Sequence, residues 1–194
     1  MWIKQKIKKL YYIVLRIIKG GVHAFGYASI GDYTVICKPM RVIGKKYIHL
    51  GNNDYIMNNL RIEVWDSWGG VKKNFSPTVR IENNVSIQQN CHITCANKIV
   101  IGSGTSVLPE VLITDIDHIK EVGKSVNDTG IRAGEVIIGN NCVIGMGARI
   151  LSNGKRITIG NDCVIGANAV VTSCIPDGSI AVGIPARVIK KIPV

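Results

Sequence analysis

Acidic residues are scarce in this chain of 194 residues, in which 13 Asp and Glu stand against 24 Lys and Arg and leave a formal net charge of +11. The first twenty residues hold six of these bases and no acid, so more than half of the excess charge lies there. The remainder has no interleaved basic and aromatic patch, zinc-finger spacing or helix-turn-helix pattern. The charge therefore does not predict binding to nucleic acid.

Histidine is also rare, and the cysteines are not paired. The four histidines are scattered without a close His-x4-His pair, which argues against a zinc enzyme of the carbonic anhydrase kind. The six cysteines form no CxxC pair and are dispersed in a chain large enough to bury a core. We expect small, buried, reduced thiols and no metal site.

Long apolar runs are missing as well. The longest, Leu10–Ile18, is interrupted by Arg16 and falls short of the roughly 20 residues that span a bilayer. No small-residue cleavage site of a signal peptide follows it. These absences predict a cytoplasmic protein that does not cross a membrane.

Residues 1–20 predict a basic amphipathic helix. Its aliphatic residues recur at spacings of four and three, which places them on one helical face. Two interpretations remain open: residues 1–19 make peripheral contact with an anionic leaflet, or the helix packs on its own domain or a neighbouring subunit. The aliphatic residues of this face are Ile3, Ile7, Leu10, Val14 and Ile17.

A period of six residues dominates the chain from Ile30 onward. Each unit begins with an aliphatic residue, usually followed by Gly, and carries a small residue at its fifth place. This period suits a triangular coil of three short strands, with aliphatic residues inside and Gly or Asn at corners because both tolerate left-handed backbone angles. It predicts an all-β domain over residues 21–183. The clearest units are Ile138–Val143, Ile144–Arg149, Ile159–Val164 and Ile165–Val170.

The repeat is interrupted at residues 66–76 and 118–135, where we predict excursions from the coil. It ends before Pro185, and a short helix is predicted in the carboxyl-terminal residues 184–194.

The repeat resembles that of hexapeptide-repeat acyltransferases. The segments Ser86–Ile93 and Pro109–His118 are similar to the core of galactoside and maltose O-acetyltransferases, and Ala181–Lys190 resembles the closing segment of the family. The likeness extends to O-acetyltransferases of polysaccharides and lipopolysaccharides. It implies a left-handed parallel β-helix and a homotrimer whose active sites lie between subunits.

The resemblance assigns the catalytic base to His118 and a contact with the acceptor sugar to Asn90. A neutral imidazole is well suited to taking the proton of a sugar hydroxyl as that oxygen attacks a thioester carbonyl. Asp115 and Asp117 flank the base, and each is a candidate to orient its ring or to hold acceptor hydroxyls.

The same resemblance implies acetyl-CoA as the co-substrate, with no metal. The amide of Met146 corresponds to the donor that stabilises the oxyanion. Ala167, Thr172 and Ser173 would line the pantetheine groove. Arg187 and Lys190 would lie near the phosphates.

Together these features predict an acetyl-CoA-dependent sugar O-acetyltransferase that acts on a surface polysaccharide or lipopolysaccharide precursor, in the cytoplasm and at the inner face of its membrane. Two alternatives remain: an N-acetyltransferase for an amino sugar or antibiotic, and a β-helix scaffold without catalysis. We favour a hydroxyl acceptor because no nucleotide-binding domain precedes the repeat.

Overall fold

The computed structural model describes residues 2–68 and 75–193. Helix α1 (Trp2–Gly20) occupies the segment predicted to be helical, and single 3-10 turns follow at Gly21–Ala24 and Lys45–Tyr47. The rest is a coil whose strands form three parallel sheets, and the chain visits the first, second and third sheet in turn. The left-handed winding stays a prediction.

Strands are numbered along the chain. The first sheet contains β1 (Ser29–Ile30), β4 (Ile48–Leu50), β7 (Thr78–Ile81), β10 (Lys98–Ile101), β15 (Glu135–Ile138) and β18 (Arg156–Ile159). The second contains β2 (Val35–Ile36), β5 (Tyr55–Ile56), β8 (Ser86–Ile87), β11 (Ser106–Val107), β16 (Val143–Ile144), β19 (Val164–Ile165), β21 (Ser179–Val182) and β22 (Arg187–Lys191). The third contains β3 (Arg41–Ile43), β6 (Arg61–Val64), β9 (His92–Cys95), β12 (Leu112–Thr114), β17 (Arg149–Leu151) and β20 (Val170–Val171).

An aliphatic column fills the interior, as the repeat predicts. In the first sheet, Ile81, Ile101, Ile138 and Ile159 pair directly from coil to coil. All four are buried, and burying one such side chain contributes roughly 1.5–3 kcal/mol. Because the column is continuous, a shift of one residue in any coil would turn its aliphatic side chains outward.

The corners of the coil use Gly and Asn for two different reasons. At the second place of the repeat a side chain has no room: a Cβ on Gly139 would lie 2.7 Å from the carbonyl oxygen of Gly160 in the next coil. The left-handed backbone instead occurs at the fourth place, for example at Asn53, Asn84 and Asn141, with φ between 55° and 59°. The prediction that corner Gly serves left-handed angles is therefore corrected for the second place, where the close approach of coils excludes other residues.

The predicted excursion after the third sheet is an antiparallel hairpin between β12 and β15. Its strands are β13 (Ile116–His118) and β14 (Ile131–Ala133), and the loop between them carries a single turn of helix, α2 (Val126–Thr129). The other predicted excursion, at 66–76, falls largely on residues 69–74, which lie outside the described residues.

The predicted carboxyl-terminal helix is wrong. Residues Arg187–Lys191 form β22, which pairs antiparallel with β21 at the end of the second sheet. The free edge of β21 exposes backbone donors and acceptors that a further strand satisfies. The β-branched Val188 and Ile189 also favour an extended chain.

One fifth-place corner residue is acidic. Asp54 is only 1% exposed, and one of its carboxylate oxygens accepts the Val85 amide at 2.9 Å while the other has no partner among the described residues. Burial raises the pKa of Asp54 to about 7, above the 3.8 of an unburied group. Asp54 is therefore more fully protonated in the folded chain than in the unfolded chain between about pH 4 and 7, and its contribution to stability falls as pH rises through that interval.

Replacing Asp54 by Asn should remove this loss, because a carboxamide carries no charge. From pH 4 to pH 8 the unfolding free energy of D54N should rise relative to the unchanged protein by roughly 3 to 4 kcal/mol. Urea unfolding at fixed protein concentration measures it, with the exposed Glu121→Gln as control. Parallel stability curves for D54N and the unchanged chain would contradict the assignment.

Candidate active site

The predicted site residues lie on two of the three edges of the coil. The edge where the chain passes from the second to the third sheet carries Asn90, Met146 and Ala167, and is called the Asn90 edge. The edge from the third to the first sheet carries His118, Thr172 and Ser173, and is called the His118 edge. The width of the third sheet separates them.

His118 is the last residue of β13 and pairs with Ile131 across the hairpin. Its side chain is exposed, and no group in residues 2–68 or 75–193 forms a hydrogen bond with its ring. The indole of Trp68 packs against it edge to face, with ring centroids 5.2 Å apart. Both residues line a cavity of about 430 Å³ over the third sheet. The hairpin thus holds a free imidazole at the wall of a cleft large enough for part of a small ligand.

Asp117 lies beside His118, as predicted, but its carboxylate is engaged. It forms an ion pair with Arg132 on the facing strand, with 2.9 Å between Oδ2 and the guanidinium nitrogen. The pair is partly exposed, so it braces the hairpin only weakly. The acceptor contact predicted for Asp117 stays a prediction.

The prediction that Asp115 contacts the acceptor or orients the base is wrong. Its side chain is fully buried and accepts the amides of Ala96, Asn97 and Lys98, each at 2.8 Å. Burial raises the pKa of Asp115, and these hydrogen bonds oppose the rise. Asp115 points into the preceding coil and ties its corner to β12, because three amides there lack strand partners.

Asn90 occupies a fourth-place corner with φ 61°. Its side-chain oxygen accepts a hydrogen bond from Asn59 Nδ2 at 3.2 Å, so part of its role is to link successive corners. It is exposed and lines a second cavity of about 580 Å³, beside Tyr55 and Lys19. Within one chain, the structure does not bring Asn90 and His118 into one cavity.

The amide of Met146 is free for a ligand, for a reason visible in the repeat. At the corners between the first and second sheets, third-place amides donate to the side chain of the next coil, as Asn140 does to Asn161 Oδ1 at 2.8 Å. On the Asn90 edge the residue above Met146 is Ala167, which has no acceptor. In the described part of the chain neither amide has a hydrogen-bond partner, although the Met146 carbonyl accepts from Asn168.

The remaining predicted cofactor residues lie toward the carboxyl-terminal end of the coil. Thr172 is half-buried and Ser173 exposed just after β20. Arg187 and Lys190 are exposed on β22, the closing strand, rather than on a helix. Their contacts with coenzyme A stay predictions.

Sequence reasoning missed the wall of the cavity beside His118. Trp65, Trp68, Arg41, Arg61 and Glu63 line it, and all come from coils about 50 residues or more before His118. The alternation Arg61-Ile62-Glu63 is the one available signal, since it places two charges on the outer face of a strand. Within the ranges 2–68 and 75–193, no three His, Cys, Asp or Glu side chains are placed to hold a metal ion.

Comparison with known proteins agrees with the repeat and the architecture. A family profile described as the hexapeptide repeat of succinyl-transferase matches residues 130–152, 135–173 and 156–184. A search of curated proteins finds no match.

Solved structures share the fold. A variant of AntD, an N-acyltransferase from Bacillus cereus in complex with dTDP-4-amino-4,6-dideoxyglucose and coenzyme A, is similar with a TM-score of 0.69 and 18% identity, over 89% of this chain and 88% of that one. A hexapeptide-repeat acetyltransferase from Vibrio cholerae, complexed with acetyl coenzyme A, has a TM-score of 0.63 and 22% identity over 75% and 72% of the chains.

A maltose O-acetyltransferase from Clostridium difficile has a TM-score of 0.54 and 26% identity, over 77% of this chain and 72% of that chain. The resemblance drawn from the sequence is confirmed: residues 130–184 match the hexapeptide-repeat profile, and the fold of this chain is similar to that of hexapeptide-repeat acyltransferases.

Proposed function

We propose that this protein transfers an acetyl group from acetyl-CoA to a hydroxyl of a sugar, with His118 as the general base. The observation that carries the proposal is the free imidazole of His118 at the wall of a cleft lined by indole rings and polar side chains. The likeness of fold to acyltransferases supports it, since two of those structures contain coenzyme A or acetyl coenzyme A.

The chemistry follows from the groups on the two edges. His118 takes the proton of the sugar hydroxyl while its oxygen attacks the thioester carbonyl. The carbonyl oxygen becomes negative and accepts a hydrogen bond from the Met146 amide. The tetrahedral intermediate collapses, the C–S bond breaks, and the imidazolium returns the proton to the sulfur of coenzyme A. The products are the acetylated sugar and free coenzyme A.

Acetyl-CoA fits the Asn90 edge best. A pantetheine arm carries amides that need partners, and the unpaired amides of Met146 and Ala167 supply donors along one line. Thr172 and Ser173 lie on the His118 edge, so those of a neighbouring chain would border the arm. Arg187 and Lys190 supply the positive charge that the phosphates require, on the strand that closes the same end of the coil.

A trimer would complete the site. One chain holds His118 and the unpaired amides on edges separated by the third sheet, so neither edge alone contains both base and oxyanion donor. Packing three chains around a common axis would set the His118 edge of each against the Asn90 edge of the next. Asn90 then contacts the acceptor held by a neighbouring His118.

The acceptor has a second candidate chemistry, an amine. AntD, the relative crystallised with a dTDP-linked amino sugar, is an N-acyltransferase, whereas the maltose enzyme acetylates oxygen. We favour a hydroxyl acceptor because a base beside the cleft is needed most by a hydroxyl, which must lose its proton as it attacks.

Replacing His118 by Ala should lower acetyl transfer by about 10²–10⁴-fold while leaving the fold unchanged, because the side chain is exposed. Thiol release from acetyl-CoA, assayed with maltose, galactosides and amino sugars, measures the rate, and mass spectrometry distinguishes esters from amides. His49→Ala, on the first sheet and hydrogen-bonded to Ser29, is the matched control. Near-normal transfer by H118A would remove the proposed base.

Helix α1 presents most of its aliphatic side chains to solvent and faces the coil with a mixed side, on which Tyr12, Ile13, Leu15 and Arg16 are half-buried. Lys9 forms an ion pair with Asp32 at 2.7 Å, and Lys19 donates to the Tyr55 hydroxyl at 2.8 Å. This orientation is the reverse of the usual packing of an amphipathic helix. The outward stripe, with side chains 42% to 74% exposed, consists of Ile3, Ile7, Leu10, Tyr11, Val14, Ile17 and Ile18.

We propose that this stripe docks on an anionic lipid surface, at the inner face of the cytoplasmic membrane. Helical periodicity places Lys4 and Lys6 on its two flanks, and the helix contains no acid. Each basic side chain beside anionic headgroups adds about 1 kcal/mol. No helix of the described residues is long and apolar enough to cross a membrane. Docking would hold the site beside a lipid-linked precursor of a surface polysaccharide or lipopolysaccharide.

The combined change Ile7→Ser, Leu10→Ser and Val14→Ser should weaken binding to phosphatidylglycerol vesicles at least about ten-fold, because it removes aliphatic surface from the stripe. Co-sedimentation measures binding, with phosphatidylcholine vesicles as the uncharged comparison. Val122→Ser, at an even more exposed aliphatic residue on the excursion loop, is the control.

Two outcomes would contradict lipid docking. The first is that the unchanged protein fails to sediment with anionic vesicles. The second is that the triple variant loses its oligomeric state in analytical ultracentrifugation while its lipid binding persists. The second result would identify the stripe as a contact between copies of the chain.

A further inference from the structure

Three charged side chains form a cluster on the outer face of the third sheet. Arg41 on β3 pairs in register with Arg61 on β6. The side chain of Glu63 lies between these two arginines. The carboxylate of Glu63 is 3.0 Å from Arg41 Nε and 2.9 Å from a terminal nitrogen of Arg61. All three residues line the cavity that His118 borders.

The cluster carries more positive charge than its own packing needs. The side chain of Glu63 is only 5% exposed, and a buried carboxylate is stable only with a counter-charge. One arginine would satisfy it, yet two are present, which leaves a net charge of +1. The Nε of Arg61 is buried and has no hydrogen-bond partner in the described part of the chain. The side chains of Arg61 and Arg41 are nevertheless 42% and 56% exposed.

The neighbouring histidine does not alter this charge at neutral pH. His92 lies beside Arg61 on the next strand and contacts Thr94 Oγ1 at 3.0 Å. Burial, and secondarily the charge of Arg61, lower the pKa of His92. The fixed charges of Arg41, Arg61 and Glu63 therefore determine the electrostatics of this end of the cavity.

The other end of the same cavity suits a sugar ring. Trp65 and Trp68 stand edge to face with centroids 6.0 Å apart, and Trp68 in turn contacts His118. Indole faces pack on the apolar face of a pyranose and leave its hydroxyls at the rim. The cavity thus combines a base, an aromatic wall and a cationic floor.

We propose that Arg41 and Arg61 bind a negatively charged group of the acceptor, so that the acceptor is an anionic glycan bearing a carboxylate or a phosphate. Arginine forks match the paired oxygens of both groups. This inference rests on the proposed function only in that the bound glycan is taken to be the acceptor. Binding of the anion by Arg41 and Arg61 does not require that transfer follows.

Isothermal titration of the His118→Ala protein tests the binding without turnover. Glucose, glucuronic acid and glucose 1-phosphate are the probes, and the two anionic sugars separate a carboxylate from a phosphate preference. At least one anionic sugar should bind ten-fold or more tightly than glucose. Equal binding of all three sugars would overturn the proposal.

Introducing Arg61→Gln into this protein should reduce the affinity for the preferred anionic sugar by about 10- to 100-fold and leave glucose binding unchanged. Arg80→Gln is the matched control, since Arg80 pairs with Glu82 two residues on, in the same pattern but on the first sheet. Arg41→Gln, the more exposed partner, repeats the test if R61Q fails to fold. Anion affinity unchanged in R41Q and R61Q would contradict the assignment.

Acetyl transfer by the protein with an intact His118 separates this inference from the proposed function. Transfer to neutral and anionic sugars at equal rates would leave the transferase standing and remove the anion subsite. Tight anion binding that depends on Arg61, with no transfer to any sugar, would support the anion subsite and contradict the proposed transferase function.

Discussion

The close stacking of coils on the aliphatic column is the constraint on which the structure depends. Ile81, Ile101, Ile138 and Ile159 align in one register, and the adjacent glycines approach the next coil so closely that a Cβ on Gly102 would lie 2.5 Å from Gly139. A coil held this tightly cannot slip, because a shift of one residue would turn aliphatic side chains outward. The same registration decides which residues share an edge, and so places the Asn90 edge and the His118 edge relative to one another.

The repeat predicted the column because aliphatic residues recur at the positions whose side chains point into the interior. Residues at edges were harder to assign from sequence. Asp115 lies three residues before His118, yet it turns into the coil and meets amides 17 to 19 residues earlier in the chain. The extended form of Arg187–Lys191 depends on the free edge of β21, which local sequence around Pro185 does not reveal.

The cleft beside His118 could not be predicted for a related reason. Trp65, Arg61 and Glu63 reach it from an earlier coil, and nothing in the spacing to His118 marks them as neighbours. The two-edge arrangement was likewise hidden. It has a direct chemical consequence, since the exposed imidazole and the unpaired Met146 amide lie on opposite borders of the third sheet. The base and the oxyanion donor of the proposed acyl-transfer site therefore lie on different edges of one chain, and association of chains is the simplest way to join them.

Complementation between two inactive variants tests this account most directly. His118→Ala removes the base, and Ala167→Trp fills the groove on the Asn90 edge. If each site takes its base from one chain and its oxyanion donor from the next, co-expression in equal amounts should restore about a quarter of the sites, because one random neighbour pair in four is intact in both halves. Activity in the mixture no higher than in either variant alone would contradict a site shared between chains.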